Sequence, residues 1–512
     1  MGERMSLYQN LGFKAHPFAK TNADEEPNLA EYFVPPPFYD SVLGDPTTPT
    51  VSVVLAPRGG GKTALRRMLE KTASDKNYLA VSYDRFEFSA GQQVNDINLQ
   101  YHLRNIISRL LVAYLSHLAD DPDLLSKLTK DDRRRISLFV YSYLGDITGD
   151  GIQDILKELK GLPDRFREFW RENVGFFESA ISFLLKNYGL ESIDLPTLKN
   201  EEKTLDESYK YQLEYLGRLA RSIGFSAVYV LIDKPDETEL TGNNANATYR
   251  LIQPLIRDLE LLGLDGFAFK FFLWDQVESF YRKDARPDRV HEYRLSWSRK
   301  GLEQLLTKRL ISFSDGQIKY FRNLCTHDLP YDPDSVICLI ANHSPRNVIR
   351  VCEKIISAQA EIDSAANKVF SEAIDQGILA YCNQVAHNNY PVEYIKDIQR
   401  VGRELFTINY LANDVFKVNT NAARNKINNW QNAGLVSQIG TVSVETSNRP
   451  LNFYYITDPA IIRLIHRHIP LEQFLKDRWL PCGYCETDNL ANIELYPEGN
   501  MPLCSSCGRQ LL

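Results

Sequence analysis

Eight consecutive residues, Ala56-Pro57-Arg58-Gly59-Gly60-Gly61-Lys62-Thr63, have the composition of a phosphate-binding loop, or P-loop. Gly59, Gly60 and Gly61 can take positive φ and let backbone N–H groups close on phosphate oxygens. Lys62 would place its ammonium on the β and γ phosphates of a nucleotide, and Thr63 would give its hydroxyl to Mg²⁺. Pro57 and Arg58 complete the stretch that would touch the nucleotide. Ala56 stands where the usual pattern begins with Gly.

A second stretch, Asp233-Lys234-Pro235-Asp236-Glu237, follows the apolar run Ala227–Ile232. An acid at the end of a buried strand is the expected Mg²⁺ anchor, which makes Asp233 the candidate. Glu237, with Asp236 as the alternative, would polarise an attacking water. Carboxylates this close repel one another unless a cation offsets them. Asp275 and Gln276 follow another apolar run and are candidates for a polar contact near the γ phosphate. Arg309 and Arg346 are candidates for the cation that steadies transition-state charge, in cis or from a second subunit. Ser344 and Pro345 read as an N-cap and first helical position. Arg346 then falls in a first helical turn, where the dipole disfavours a cation unless an acid or a phosphate is near.

Two further groups carry chemistry. Cys482-x2-Cys485 and Cys504-x2-Cys507 are separated by eighteen residues. Four thiolates in paired knuckles suit a closed, tetrahedral, structural zinc site. A region of about 35 residues is too small to hold together on apolar burial alone, so a metal cross-link makes physical sense. In Asn421–Ala433, Ala423, Ile427 and Trp430 share one helical face. Asn421, Arg424, Asn425, Asn428 and Asn429 share the other, and Asn and Arg can read base edges and phosphates.

These residues need elements to hold them. Residues 51–55 read as a buried strand running into the loop, and 64–73 as the helix that leaves it. Strands are expected at 79–83, 227–232 and 267–273, with a helix over 246–263. Helical periodicity over about 98–223 is too long for a crossover and reads as a helical insertion. The expected fold is therefore α/β, a P-loop three-layer αβα core over 51–295 behind an N-terminal arm at 1–50. Pro-rich and aromatic, the arm would pack on a core or close above a nucleotide base. A helical lid is expected over 296–382, with segments near 298–310, 314–325, 333–341 and 345–360 and a linking helix at 361–382. Over 383–470, helices near 392–404, 407–415 and 420–433, then strands at 435–445 and 451–457, have the order of a winged helix. Its wing tip would be Ser447–Pro450. A small zinc ribbon fills 471–512.

The chain has 512 residues, 44% apolar and 24% charged, with a net charge of −7 and a pI near 5.8. That excludes a global cationic footprint for nucleic acid. The winged-helix region is locally basic, with nine Lys and Arg against six Asp and Glu over 381–470. The ribbon is acidic, with three basic against six acidic side chains. No apolar run is long enough to span a membrane. Cys325, Cys338, Cys352 and Cys382 read as small core residues, and the cysteine usage fits a reducing, cytoplasmic setting.

The P-loop, the VYVLIDKPDE stretch, SPRNVIR in the lid and the winged helix, in that order, resemble AAA+ and STAND P-loop ATPases. The order of parts is similar to that of origin-recognition ATPases. The resemblance covers about 50–470 apart from the insertion. It implies that Lys62, Thr63, Asp233 and Arg346 bind and hydrolyse ATP with Mg²⁺. Lys234-Pro235 interrupts the acidic cluster where many members carry small residues. The leading expectation is an ATP-driven switch, slow to hydrolyse, that oligomerises on ATP and engages a protein partner through the winged helix and ribbon. One alternative is an origin-type or transcriptional ATPase bound to double-stranded DNA; the other is a non-hydrolysing scaffold. For bacterial members the resemblance also suggests defence or regulation.

Overall fold

The computed structural model describes residues 6–144, 209–442, 451–490 and 503–511, with breaks at Asp328, Asp477, Glu486 and Ser505–Ser506. The middle of the expected insertion and the expected wing tip lie outside them. The chain divides into two compact units: Pro35–Arg58 with Lys62–Leu295, and Met1–Val34 with Gly59–Gly61 and Ser296–Leu512.

The first unit is built on β1 (Ser52–Ala56), β2 (Tyr78–Tyr83), β3 (Ala227–Asp233), β4 (Phe267–Trp274) and β5 (His291–Arg294). Among the described residues they form one parallel sheet in the order β2-β3-β4-β1-β5. Every residue of β1 and β3 is buried, as expected of strands covered on both faces. β5, sequence HEYR, is half exposed at the sheet edge. It has no apolar run, so the sequence gives no strand signal there. Helix α1 (Lys62–Lys76) leaves the loop after β1.

Helices α2 (Leu99–Asp120), α3 (Lys130–Leu144) and α4 (Tyr209–Ser222) occupy the described parts of the expected insertion. Asn98 caps α2 by accepting from the Tyr101 N–H at 2.9 Å. α2 packs on β2, and α4 packs on α2 and β3. The helix expected over 246–263 is interrupted. α5 (Ala245–Ile256) stops, and Asp258 caps a separate turn, Leu259–Leu262, by accepting from Leu261 N–H. An Asp side chain that bonds backbone competes with helix continuation.

The second unit holds α6 (Arg299–Phe313), α7 (Pro333–Ile340), α8 (Pro345–Ile362), α9 (Ser371–Asn389) and α10 (Val392–Val401). The expected helix at 314–325 does not form. Asp315 and Gly316 take φ of 51° and 82°, which turns the chain out of α6, and only Phe321–Leu324 is helical. The expected linking helix begins at Ser371 rather than 361, and Gln359 Oε1 accepts from Phe370 N–H across the break. α8 and α9 cross so closely that a Cβ on Gly377 would lie 2.4 Å from Ile355 Cα. From the arm, Leu7, Leu11, Phe13 and Phe18 join Leu302, Leu306 and Leu310 of α6 in one apolar core.

Next come β6 (Leu405–Thr407), a short turn of helix over Ile408–Val415, α11 (Thr420–Asn432), β7 (Val436–Val442) and β8 (Leu451–Ile456). The strands pair antiparallel in the order β6-β8-β7. Helices α10 and α11 with this sheet make a winged helix. Beyond α12 (Pro459–Ile465), β9 (Trp479–Pro481) and β10 (Asp488–Leu490) pair antiparallel beside the cysteine cluster.

Candidate functional site

β1 ends at Ala56 and the chain turns through the loop into α1. Gly59 and Gly61 take φ of 75° and 99°, positions where a Cβ would be strained. The buried Lys62 ammonium folds back to donate to Ala56 O at 3.1 Å and Pro57 O at 3.3 Å. Burial pushes its pKa below the usual lysine range, while Asp236, Asp233, Asp275 and Glu237 pull the other way. Those four acids come from the ends of β3 and β4. Ligands of open parallel sheets sit at these carboxyl ends.

The core has the fold of a P-loop NTPase.

Asp233 closes β3 and is 1% exposed. Its Oδ2 accepts from Arg66 Nε at 3.1 Å, and its Oδ1 accepts from the Lys234 N–H at 3.0 Å. Burial raises its pKa, and Arg66, Lys234 and Lys62 oppose that rise. Lys234 holds φ of 58°, an uncommon conformation for a non-glycine residue. Thr63 is half-buried at the start of α1. A carboxylate and a hydroxyl are the oxygen donors Mg²⁺ takes, and each Asp233 oxygen keeps a lone pair beyond its present bond.

Asp236, the alternative candidate base, is buried and paired. Arg58 Nε donates to its Oδ2 at 2.8 Å, Arg58 Nη2 donates to its backbone O at 2.9 Å, and the guanidinium lies 4.3 Å from the Trp274 ring centre. Glu237 is exposed. Asp275 is half-buried, and burial pushes its carboxyl up against the pull of Lys62 and Arg294. Gln276 is exposed.

In the second unit, Gly59–Gly61 pack with the start of α8 and the residues before α6. Trp297 Nε1 donates to Gly60 O at 2.7 Å, and Ser344 Oγ lies 3.4 Å from Gly59 O. A Cβ on Gly59 would come within 2.9 Å of Ser344 Oγ and 3.1 Å of Arg346 Cβ. Ser344 also caps α8, which puts Arg346, half-buried, in its first turn. Arg309 is placed differently. It is 2% exposed, donates to Pro17 O and Glu26 Oε1, and lies over the rings of Tyr32 and Phe313. Its guanidinium clamps the arm onto α6.

On α11, Asn421, Arg424, Asn425, Asn428 and Asn429 are exposed while Ala423, Ile427 and Trp430 are buried. The Sγ atoms of Cys482, Cys485, Cys504 and Cys507 all lie within 4.8 Å of one another. Gly508 takes φ of 70°, and its N–H donates to Cys504 O at 2.9 Å, closing one knuckle. Four clustered thiols with tight backbone turns fit the donor set of a tetrahedral zinc ribbon.

Sequence reasoning missed Arg66, which pairs with Asp233, and Glu70 and Asp84, which pair with Arg66. The available signal was weak: Arg66 and Glu70 are an i,i+4 pair on α1, and Asp84 directly follows β2 while Asp233 ends β3.

No protein-family model matches the chain, and no curated protein matches it. Among solved structures, the Aeropyrum pernix Orc1 protein in complex with DNA is 11% identical, over 89% of this chain and 98% of that one, with a TM-score of 0.32. Cdc6p from Pyrobaculum aerophilum is 11% identical over 90% and 99%, with a TM-score of 0.33. A likeness this distant carries no functional weight. The fold reading stands on the sheet order, the loop and the winged-helix topology.

Proposed function

We propose that this chain is an ATP-binding, slowly hydrolysing molecular switch, whose nucleotide state governs partner binding through the winged helix and zinc ribbon. One observation carries the reading: Lys62 and Asp233 stand at the carboxyl ends of parallel strands, behind a glycine loop held in positive-φ turns. Here Lys62 trades its two loop carbonyls for the β and γ phosphates, and the loop N–H groups take up the remaining phosphate charge. Thr63 and Asp233 would hold Mg²⁺, which supplies charge neutralisation on the phosphates when bound. Glu237 orients the attacking water, since Asp236 is committed to Arg58. Arg346 is the lid cation of this reading, because Arg309 is spent on the arm. Slow turnover agrees with Asp233 being shared with Arg66.

Light scattering and phosphate release, run together on wild type and Lys62→Ala with and without Mg-ATP, test it. An ATP-dependent rise in mass with slow phosphate release, both lost in Lys62→Ala, is expected. Tight ATP binding with neither response would sink the switch and leave a nucleotide-stabilised scaffold.

The exposed Asn and Arg face of α11 favours a second reading, in which the partner is double-stranded DNA. Affinity for duplex would then fall steeply with salt and be lost in Arg424→Ala with Asn428→Ala. Salt-independent or absent duplex binding would leave a protein partner.

A further inference from the structure

Arg66 is fully buried. Its guanidinium is the hub of a cluster assembled from four places in the first unit. Nε donates to Asp233 Oδ2 at 3.1 Å, Nη2 meets Asp84 Oδ2 at 3.2 Å, and Nη1 bonds Glu70 and donates to Ser82 Oγ at 3.2 Å. Lys234 Nζ also approaches Asp84 Oδ2, at 3.5 Å. Three carboxylates thus share Arg66 and Lys234, and Arg67 Nε adds a third cation 3.2 Å from Glu70 Oε2. Burying an arginine with this much acid costs desolvation that is offset only where the hydrogen-bond geometry is close. An apolar residue at position 66 alone would leave Asp233, Asp84 and Glu70 buried without this partner.

The fork holds the plane of the Asp233 carboxylate from one side, while the Lys234 N–H fixes the other oxygen. A planar guanidinium does this through directed N–H bonds; a lysine ammonium, a point charge, cannot reach all three acids at once. We propose that Arg66 is a positioning residue for the metal of the nucleotide site, orienting Asp233 so that the remaining lone pairs of its oxygens face the metal and its waters. Arg66 touches neither nucleotide nor metal. It acts through Asp233, as the partners of metal-binding carboxylates do. The inference rests on the reading of Asp233 as the metal-facing acid.

The test measures metal affinity directly. Mn²⁺ replaces Mg²⁺, a non-hydrolysable ATP analogue is bound to the full chain, and free Mn²⁺ is followed by electron paramagnetic resonance. Arg66→Lys is expected to weaken nucleotide-dependent Mn²⁺ binding about 10-fold or more, with metal-free analogue binding near wild type. Glu70→Gln, which loosens the same guanidinium without touching Asp233, is expected to leave Mn²⁺ affinity within about 2-fold. If Arg66→Lys binds Mn²⁺ like wild type, or if Glu70→Gln weakens it equally, the arginine is structural and the proposal is overturned. Should Arg66→Lys not fold, Arg66→Gln takes its place, with a loss of about 10-fold expected and an unchanged affinity overturning the idea. Asp233→Asn separates the two readings. If it abolishes Mn²⁺ binding while Arg66→Lys keeps wild-type affinity, the nucleotide site stands and the arginine assignment falls. If wild type shows no nucleotide-dependent Mn²⁺ binding, both fall.

Discussion

Single residues here act mostly as members of buried charge groups. Arg309 and Glu26 are both almost fully buried, so removing one strands the other. Arg309→Met is expected to cost about 3–5 kcal/mol in denaturant unfolding, and the double change with Glu26→Gln distinctly less. Glu404 makes a second prediction. Burial alone would raise its pKa, but the hydrogen bond from His466, a backbone N–H and Arg478 outweigh it and hold the carboxyl at about 2. A folded pKa below the unfolded one stabilises above the unfolded value, near 4.3, and that gain is lost as pH falls through about 2. The gain is about 3 kcal/mol at neutral pH. The difference in unfolding free energy between wild type and Glu404→Gln should therefore shrink as pH is lowered from 5 to 2.5. A difference that stays constant would refute the linkage. Neither group was legible in the sequence. Arg58 and Asp236 make the same point, since their pairing joins residues 178 apart and no local pattern records it.

At the scale of elements, the sequence was informative wherever burial is two-sided or amphipathic. β3 announces itself as an apolar run closed by Asp233, β4 as an aromatic-rich run broken only by Lys270, and α11 shows a clean apolar face. β5 escaped because an edge strand with a polar face has no such signature. The interruption of the helix after α6 turned on Asp315 and Gly316, whose positive φ is a backbone choice that periodicity does not report. Gly377 is the sharpest element-level case. A methyl group there would meet the α8 backbone, which cannot swing aside as a side chain would. Gly377→Ala is expected to lower stability by about 1–3 kcal/mol through forced separation of α8 and α9, despite the better helix propensity of Ala. A thermal melt that rises or stays level would show that the helices part freely.

For the whole molecule, the cysteines divide into two populations with different expected behaviour. Cys325, Cys338, Cys352 and Cys382 are buried and free, whereas the other four are clustered near the C-terminus. Thiol titration of native protein should report little until a strong chelator releases zinc, then four thiols; the remaining four should react only on denaturation. Four thiols reactive without chelation would mean no metal is held. The residue types and their spacing determined the glycine loop after β1, the strand ending in Asp233, the paired cysteine knuckles and the outward face of α11. Each is a local pattern, set by a tight turn, a buried run or a helical period. Only the tertiary structure decided what those groups bond to: Asp236 to Arg58, Arg309 to the arm, and Asp233 to an arginine from α1. Burying a charge is tolerable only beside its partner, and that partner comes from wherever the fold brings the chain back.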